Sequence, residues 1–199
     1  MKHNLIAGLI ISVASCFTFS SSSDAARLLT QEQAVKQIFP DVDEVKTETK
    51  TLTAQEISSL KTKLGGNLFH FTESSSKEQV KNETTYTILY GIKNKNTIRI
   101  AIIDEQPGKW GPVEFILAID TATSKINNLA VMAYKEQRGR PIARVNFLKQ
   151  FFGKGSSDPV MIRKDIRAIS GATVSSDCAC FAVKKAIAMY ETVLKNKLN

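Results

Sequence analysis

The chain is poor in the side chains on which most acid–base and metal chemistry relies. It has two histidines and three cysteines, and His3 and Cys16 fall in the leading segment, which leaves His70, Cys178 and Cys180 for the rest. A site built from several histidine ligands is thereby excluded, and no general acid and base can be placed together in one pocket. Two cysteines make no disulfide framework, and a Cys-x-Cys pair on a helix points its side chains in different directions. They read as small, semi-buried residues, with redox and metal roles as alternatives. No Walker-type glycine loop is present, and Gly153 to Gly155 opens no Rossmann unit. No apolar run reaches the about 20 residues that a bilayer crossing requires. Acidic residues are the minority, 19 against 27 basic ones, for a formal net charge of +8. That balance attracts anionic partners of several kinds. The cations are dispersed, however, and aromatic residues do not alternate with them as in a stacking groove, which argues against nucleic acid.

What is there begins with a leader. Met1, Lys2 and His3 give a basic start, Leu5 to Phe19 an apolar stretch, and Ser20 to Ala26 mostly small residues; this order reads as an export signal, a retained anchor being the alternative. Ser23 and Ala25 satisfy the small-x-small cleavage pattern, so residues 1–25 are expected to be removed. Val13, Ala14, Ser15 and Cys16 also resemble a lipobox, which would make Cys16 a lipid anchor. Phe17 and Phe19 continue the apolar region past that cysteine and favour release as a soluble protein outside the cytoplasm, in the periplasm or its equivalent. With 43% hydrophobic residues, residues 26–199 are long enough for one sizeable core and are expected to form a single domain.

The mature part alternates helix and strand signals. Thr30 with Gln33, and Thr53 with Glu56, make two capping boxes, predicting helices that end near Phe39 and Lys63. Pro40 stops the first, and Gly65 and Gly66 stop the second. Val45 to Thr51 reads as extended, and Glu73 to Glu78 as a solvent-facing loop. Thr84 to Tyr90, Thr97 to Ile103, Val113 to Ile119 and Ile126 to Ala133 are strand candidates, with Gly91 to Asn96 as a hairpin turn. Asn146 to Phe152 reads as a short helix, and Val174 to Leu198 as the longest one. The fold class predicted is α+β, a twisted antiparallel sheet packed by helices.

The start of that last helix is the candidate site. Ile169, Ser170, Gly171, Ala172, Thr173, Val174, Ser175 and Ser176 join a small-residue turn to the helix. Gly171 permits a conformation costly to other residues, and Ala172 leaves the approach uncrowded. The helix N-terminus offers unpaired amides and the positive end of a dipole, and Thr173, Ser175 and Ser176 add hydroxyls, a suitable setting for a phosphate. Helix capping alone explains the same residue types. Lys164 and Arg167 lie close enough in sequence to face an anion, and Asp165 to orient either of them. His70 reads as an ordinary structural or exposed residue, and Trp110 as a surface or sheet-edge residue.

Ser170, Gly171, Ala172 and Thr173, followed by Val174, Ser175 and Ser176, resemble the flavinylation motif of the FMN-binding domain family. That family includes the covalent-FMN subunits of sodium-translocating NADH:quinone reductase and of Rnf-type complexes, and stand-alone exported proteins. Tyr134, Lys135, Glu136 and Gly139, then Phe147 to Phe151, Gly153 and Lys154, resemble the middle block of the stand-alone members. The resemblance implies an FMN cofactor joined through its phosphate to Thr173 by a separate flavin transferase, and electron transfer to a membrane-associated redox protein or cytochrome. It also brings in Tyr134, beside the ring or in the core, and Glu136 and Arg138, at the flavin or in a solvated turn. One departure stands out: the family motif places an acid six positions before the threonine, where this chain has Arg167, which reverses the charge and replaces an acceptor by donors. A non-redox module that binds an anionic ligand, and an FMN-dependent reductase with its own substrate, are the other functional classes.

Overall fold

A computed structural model describes residues 26–75, 84–135 and 140–197. The leader, its Cys16, and Glu136 and Arg138 lie outside these residues. The elements are β1 (Ala26–Arg27), α1 (Gln31–Ile38), β2 (Glu44–Thr51), α2 (Ala54–Lys63), β3 (Thr85–Lys93), β4 (Asn96–Pro107), β5 (Pro112–Asp120), β6 (Lys125–Tyr134), α3 (Val145–Leu148) and α4 (Thr173–Met189). The architecture is α+β. Six strands form one antiparallel sheet in the order β1-β6-β5-β4-β3-β2, in which each strand from β2 to β5 pairs with the next along the chain.

Both sheet faces are buried, and period-2 alternation sorts the side chains between them. Val113, Phe115, Leu117 and Ile119 of β5 join one core with α4, while Ile116 and Ala118 join the other with α1. Both predicted capping boxes are present: the Thr30 hydroxyl accepts from Gln33 N–H and the Thr53 hydroxyl from Glu56 N–H, each with the reciprocal side-chain bond. Phe39, the residue that follows α1, lays its ring on β3 at Gly91, where a Cβ would stand 2.6 Å from that ring.

Four local readings change. Gly91 lies inside β3, and the turn to β4 is Asn94–Lys95, both with positive φ (49° and 65°); their twist matches the flanking strands, and asparagine tolerates that region well. Strand β1 is an addition, pairing Ala26 and Arg27 with Tyr134 and Ala133. The short helix is α3 followed by a 3-10 turn over Lys149–Phe151. The long helix is α-helical only to Met189 and continues as a π turn (Tyr190–Leu194) and a 3-10 turn (Lys195–Lys197). Among the described residues no helix is long and apolar enough to cross a membrane.

α4 is buried on nearly every side, and Lys185 is buried with it. Its Nζ lies 2.7 Å from Asp104 Oδ1 on β4, 4.2 Å from the Phe69 ring centre and 5.0 Å from that of Tyr86. The other carboxylate oxygen of Asp104 accepts from Gln106 Nε2 at 2.7 Å. Removing one partner of such a pair leaves an uncompensated charge in the core, whereas removing both is far cheaper. Lys185→Ala is therefore expected to lower unfolding stability by about 3–5 kcal/mol, and Lys185→Met combined with Asp104→Leu by clearly less. Urea unfolding of both proteins checks this, and equal losses would mean that the charge pairing is not what matters at this contact.

Candidate functional site

The segment that leads into α4 is irregular, and side chains hold it in place. Its beginning is tied to β6 by two backbone bonds, Ile126 N–H to Lys154 C=O and Gly153 N–H to Ile126 C=O, each 2.8 Å. Asp165 organises the middle. Its carboxylate accepts from the amides of Met161 (2.8 Å) and Val160 (3.1 Å) and meets Lys154 Nζ at 2.9 Å. Asp165 thus serves Lys154 and the backbone, not Lys164 or Arg167 as expected from sequence proximity, because the turn doubles the chain back onto Lys154. The same contacts hold Val160, buried and β-branched, at φ 43°, a conformation that such residues rarely adopt.

Gln150 clamps the end of the segment. Its Oε1 accepts from Arg167 N–H at 2.8 Å, and its Nε2 donates to the carbonyls of Arg167 and Phe147, both at 3.3 Å. Two turns later Ser176 closes the approach to the helix: its hydroxyl accepts from Ile169 N–H at 3.0 Å and donates to Ala172 C=O at 2.9 Å. Gly171, at φ 75°, makes the final turn. A Cβ there would meet nothing within 4 Å, so the glycine is needed for its backbone conformation and not for space.

The helix that follows has no side-chain cap. Ala172 is its N-cap and makes no capping bond, and the first intrahelical bond shown at this end runs from Ser176 N–H to Ala172 C=O. The geometry of a helix leaves the amides of residues 173–175 without intrahelical acceptors. Thr173 is exposed as the first helical residue, beside exposed Ser170 and Gly171; Ala172, Ser175 and Ser176 are buried and Val174 half-buried. Arg167 is exposed. Tyr134, at the end of β6, is buried in the core with α4.

Residues outside the motif complete the surroundings, among them Asp177, which the sequence did not single out. His70 stacks on Phe181, with ring centres 5.5 Å apart and planes at 21°, and its N–H donates to Gln106 Oε1 at 3.4 Å. Asp177, one turn beyond Thr173, is half-buried. Burial holds its carboxyl above the ordinary value, against the opposing influence of His70, Lys184 and Arg163. Cys178 and Cys180 are buried free thiols. Burial, helped by Asp177, pushes the Cys180 thiol up to about 12, so it stays protonated and is a poor nucleophile or ligand.

Residues 108–188 match the model of the FMN-binding domain family. The chain carries an FMN-binding domain. FMN is the cofactor that this match assigns, and the start of α4 lies inside the matched stretch. The structure is similar to that of NqrC from Shewanella oneidensis, with a TM-score of 0.51 and 14% identity over 82% of this chain and 87% of that one; at that identity the likeness is one of fold. No curated protein matches the chain in sequence. The residues present fit the phosphate end of such a cofactor: an uncapped helix start, an exposed threonine as its first residue, and a glycine turn open on its outer side are features that can receive an anion.

The loop that presents this surface depends on an ionised Asp165. Burial acts to raise its carboxyl, but the amides of Met161 and Val160 and the Lys154 ammonium outweigh burial and hold it below its ordinary value. A carboxyl depressed in the folded state contributes stability that is fully present above its unfolded pKa, about 3.9, and is lost as pH falls through the folded value. Asp165→Asn is therefore expected to cost about 1–3 kcal/mol at neutral pH and to flatten the decline in acid. Thermal melts from pH 7 to pH 2 check this. Parallel acid profiles for the two proteins would show that another carboxylate carries the dependence.

Proposed function

We propose that residues 26–199 are an exported, FMN-dependent electron carrier whose flavin is fixed through its phosphate to Thr173. The observation that carries the reading is the exposed Thr173 at the uncapped start of α4, within the stretch that matches the FMN-binding domain family. In the attachment a bond forms between Thr173 Oγ and phosphorus, the phosphorus bond to the leaving group breaks, and the hydroxyl proton departs. The α4 dipole and its first amides offset the phosphate charge. Arg167 adds a cation, and Gln150 fixes the backbone from which its side chain extends. FMN, when bound, supplies the redox chemistry, and the protein supplies position and electrostatic environment. Thr173 is in this reading an attachment point and not a catalytic nucleophile. A flavin held by a covalent bond is not lost outside the cytoplasm, where no replacement is at hand, which is the advantage of attachment in an exported protein. A separate flavin transferase makes the bond, and a membrane-associated redox protein or cytochrome exchanges electrons with the carrier.

The test is the intact mass of the exported protein after co-expression with a flavin transferase, measured before and after denaturation beside Thr173→Ala. A gain equal to FMN less water is expected, one that survives denaturation and is absent from the variant. Flavin released on denaturation would overturn the attachment and leave FMN binding in place. A colourless protein would favour a module for another anionic ligand.

A further inference from the structure

The cations read as dispersed along the chain, yet they gather around Thr173. Residues 140–173 hold seven arginines and lysines against two aspartates, +5 of the total +8. Both aspartates are engaged within the segment. Asp158 accepts from Gly155 N–H at 2.9 Å and lies 3.6 Å from Lys154, and Asp165 is bound as described above. Arg144, Lys149, Arg163, Lys164 and Arg167 are exposed, and the ion pairs shown within this segment, both of Lys154, use none of them.

The fold doubles the segment that carries these five back on itself at the start of α4. Gln150 joins the backbone of Arg167 to the turn that holds Lys149, and Arg144 opens the single helical turn before it. Arg163 acts on Asp177 in the first turns of α4, and Ser176 ties Ile169 to the same helix. Asp177, the acid that α4 presents here, is half-buried. Between the cations stand exposed apolar side chains, Val145 (57% exposed), Phe152 (38%) and Met161 (39%). Arginine, methionine and aromatic residues around isolated apolar contacts are the composition of a protein–protein interface.

We infer that this cationic rim is the docking surface for an acidic face of a second redox protein. The inference rests on the electron-carrier reading: the partner must meet the end of the molecule that holds Thr173, and opposite charge orients and speeds that encounter. The apolar side chains among the cations are short-range contacts that hold the pair once it has formed.

Two triple variants with the same change in net charge separate the rim from bulk charge: Arg144→Glu/Lys149→Glu/Arg163→Glu, and Lys46→Glu/Lys61→Glu/Lys95→Glu on other elements. The probe is fluorescent poly-L-glutamate, its binding followed by anisotropy with and without flavin on the protein. The rim triple is expected to weaken binding at low salt about tenfold or more and the other triple about twofold at most, both differences shrinking as salt rises. Equal weakening by the two triples would overturn the inference. So would rim-dependent binding to phosphatidylglycerol–phosphatidylcholine vesicles tighter than to poly-L-glutamate, which would assign the surface to a membrane. Lys149→Glu alone replaces the rim triple if the triple fails to melt cooperatively. A second readout is reoxidation of the reduced flavoprotein by ferricyanide and by hexaamminecobalt(III). Each flavin returns two electrons to two oxidant ions and releases two protons, and the anion-to-cation rate ratio is expected to fall in the rim triple only. Loss of flavin loading in the unsubstituted protein would defeat the carrier reading, while poly-L-glutamate binding judges the rim independently.

Discussion

The ammonium of Lys185 can sit in an apolar core only if a carboxylate meets it there, and Asp104 does so at 2.7 Å. Helix packing by apolar contact alone tolerates sliding, because one alanine or valine can replace another against the same sheet. A buried ion pair does not, since displacement by one turn would leave two charges unpaired in a low-dielectric interior. Gln106 and the Phe69 and Tyr86 rings surround the pair and narrow its geometry further. α4 is thereby set in register on β4, and its first residue, Thr173, comes to the rim of the molecule at a defined place. The bond from the His70 backbone N–H to the Gln106 side-chain Oε1 ties the loop after α2 into the same network, and the stack of His70 on Phe181 brings that loop against α4.

A rigid helix does not by itself make a usable helix start. The approach to α4 contains a strained Val160, a left-handed Arg163 and a left-handed Gly171, conformations that persist only when neighbours over-determine them. Asp165, Gln150 and Ser176 do this through hydrogen bonds to the backbone. One physical consequence is electrostatic: the segment's acids are engaged with its own amides and with Lys154, and the positive charge remains outside. Structural integrity of the loop and the cationic character of its surface are two results of the same arrangement. The reversed charge at Arg167 belongs to this picture, because its backbone is what Gln150 holds and its side chain is left exposed.

Much of the architecture was legible because local rules and tertiary packing agree. The capping boxes at Thr30 and Thr53, the β-branched runs of β3 to β5 and the apolar spacing after Thr173 each carry their own physical signal. The exceptions have causes that are equally specific. Gly91 looks like a turn residue but is a glycine for the sake of the Phe39 ring, a contact between distant elements. β1 is two residues long and exists through its pairing with the end of β6. The change from α to π pattern after Met189 has no marker among the side chains.

The same division holds at the site. Glycine before a threonine, small residues on both sides and an apolar run at helical spacing beyond determine, from sequence alone, an open turn into a helix whose first amides lack intrahelical acceptors, since these depend on backbone conformation and helix geometry. Which side chains build the turn was decided by tertiary structure. Asp165 chose Lys154 over its nearer neighbours, Gln150 reached across to Arg167, and Asp177 gained His70 and Arg163 as surroundings. These are contacts through space between residues with no common periodicity, and they are settled only when the sheet, the loop and α4 are packed together.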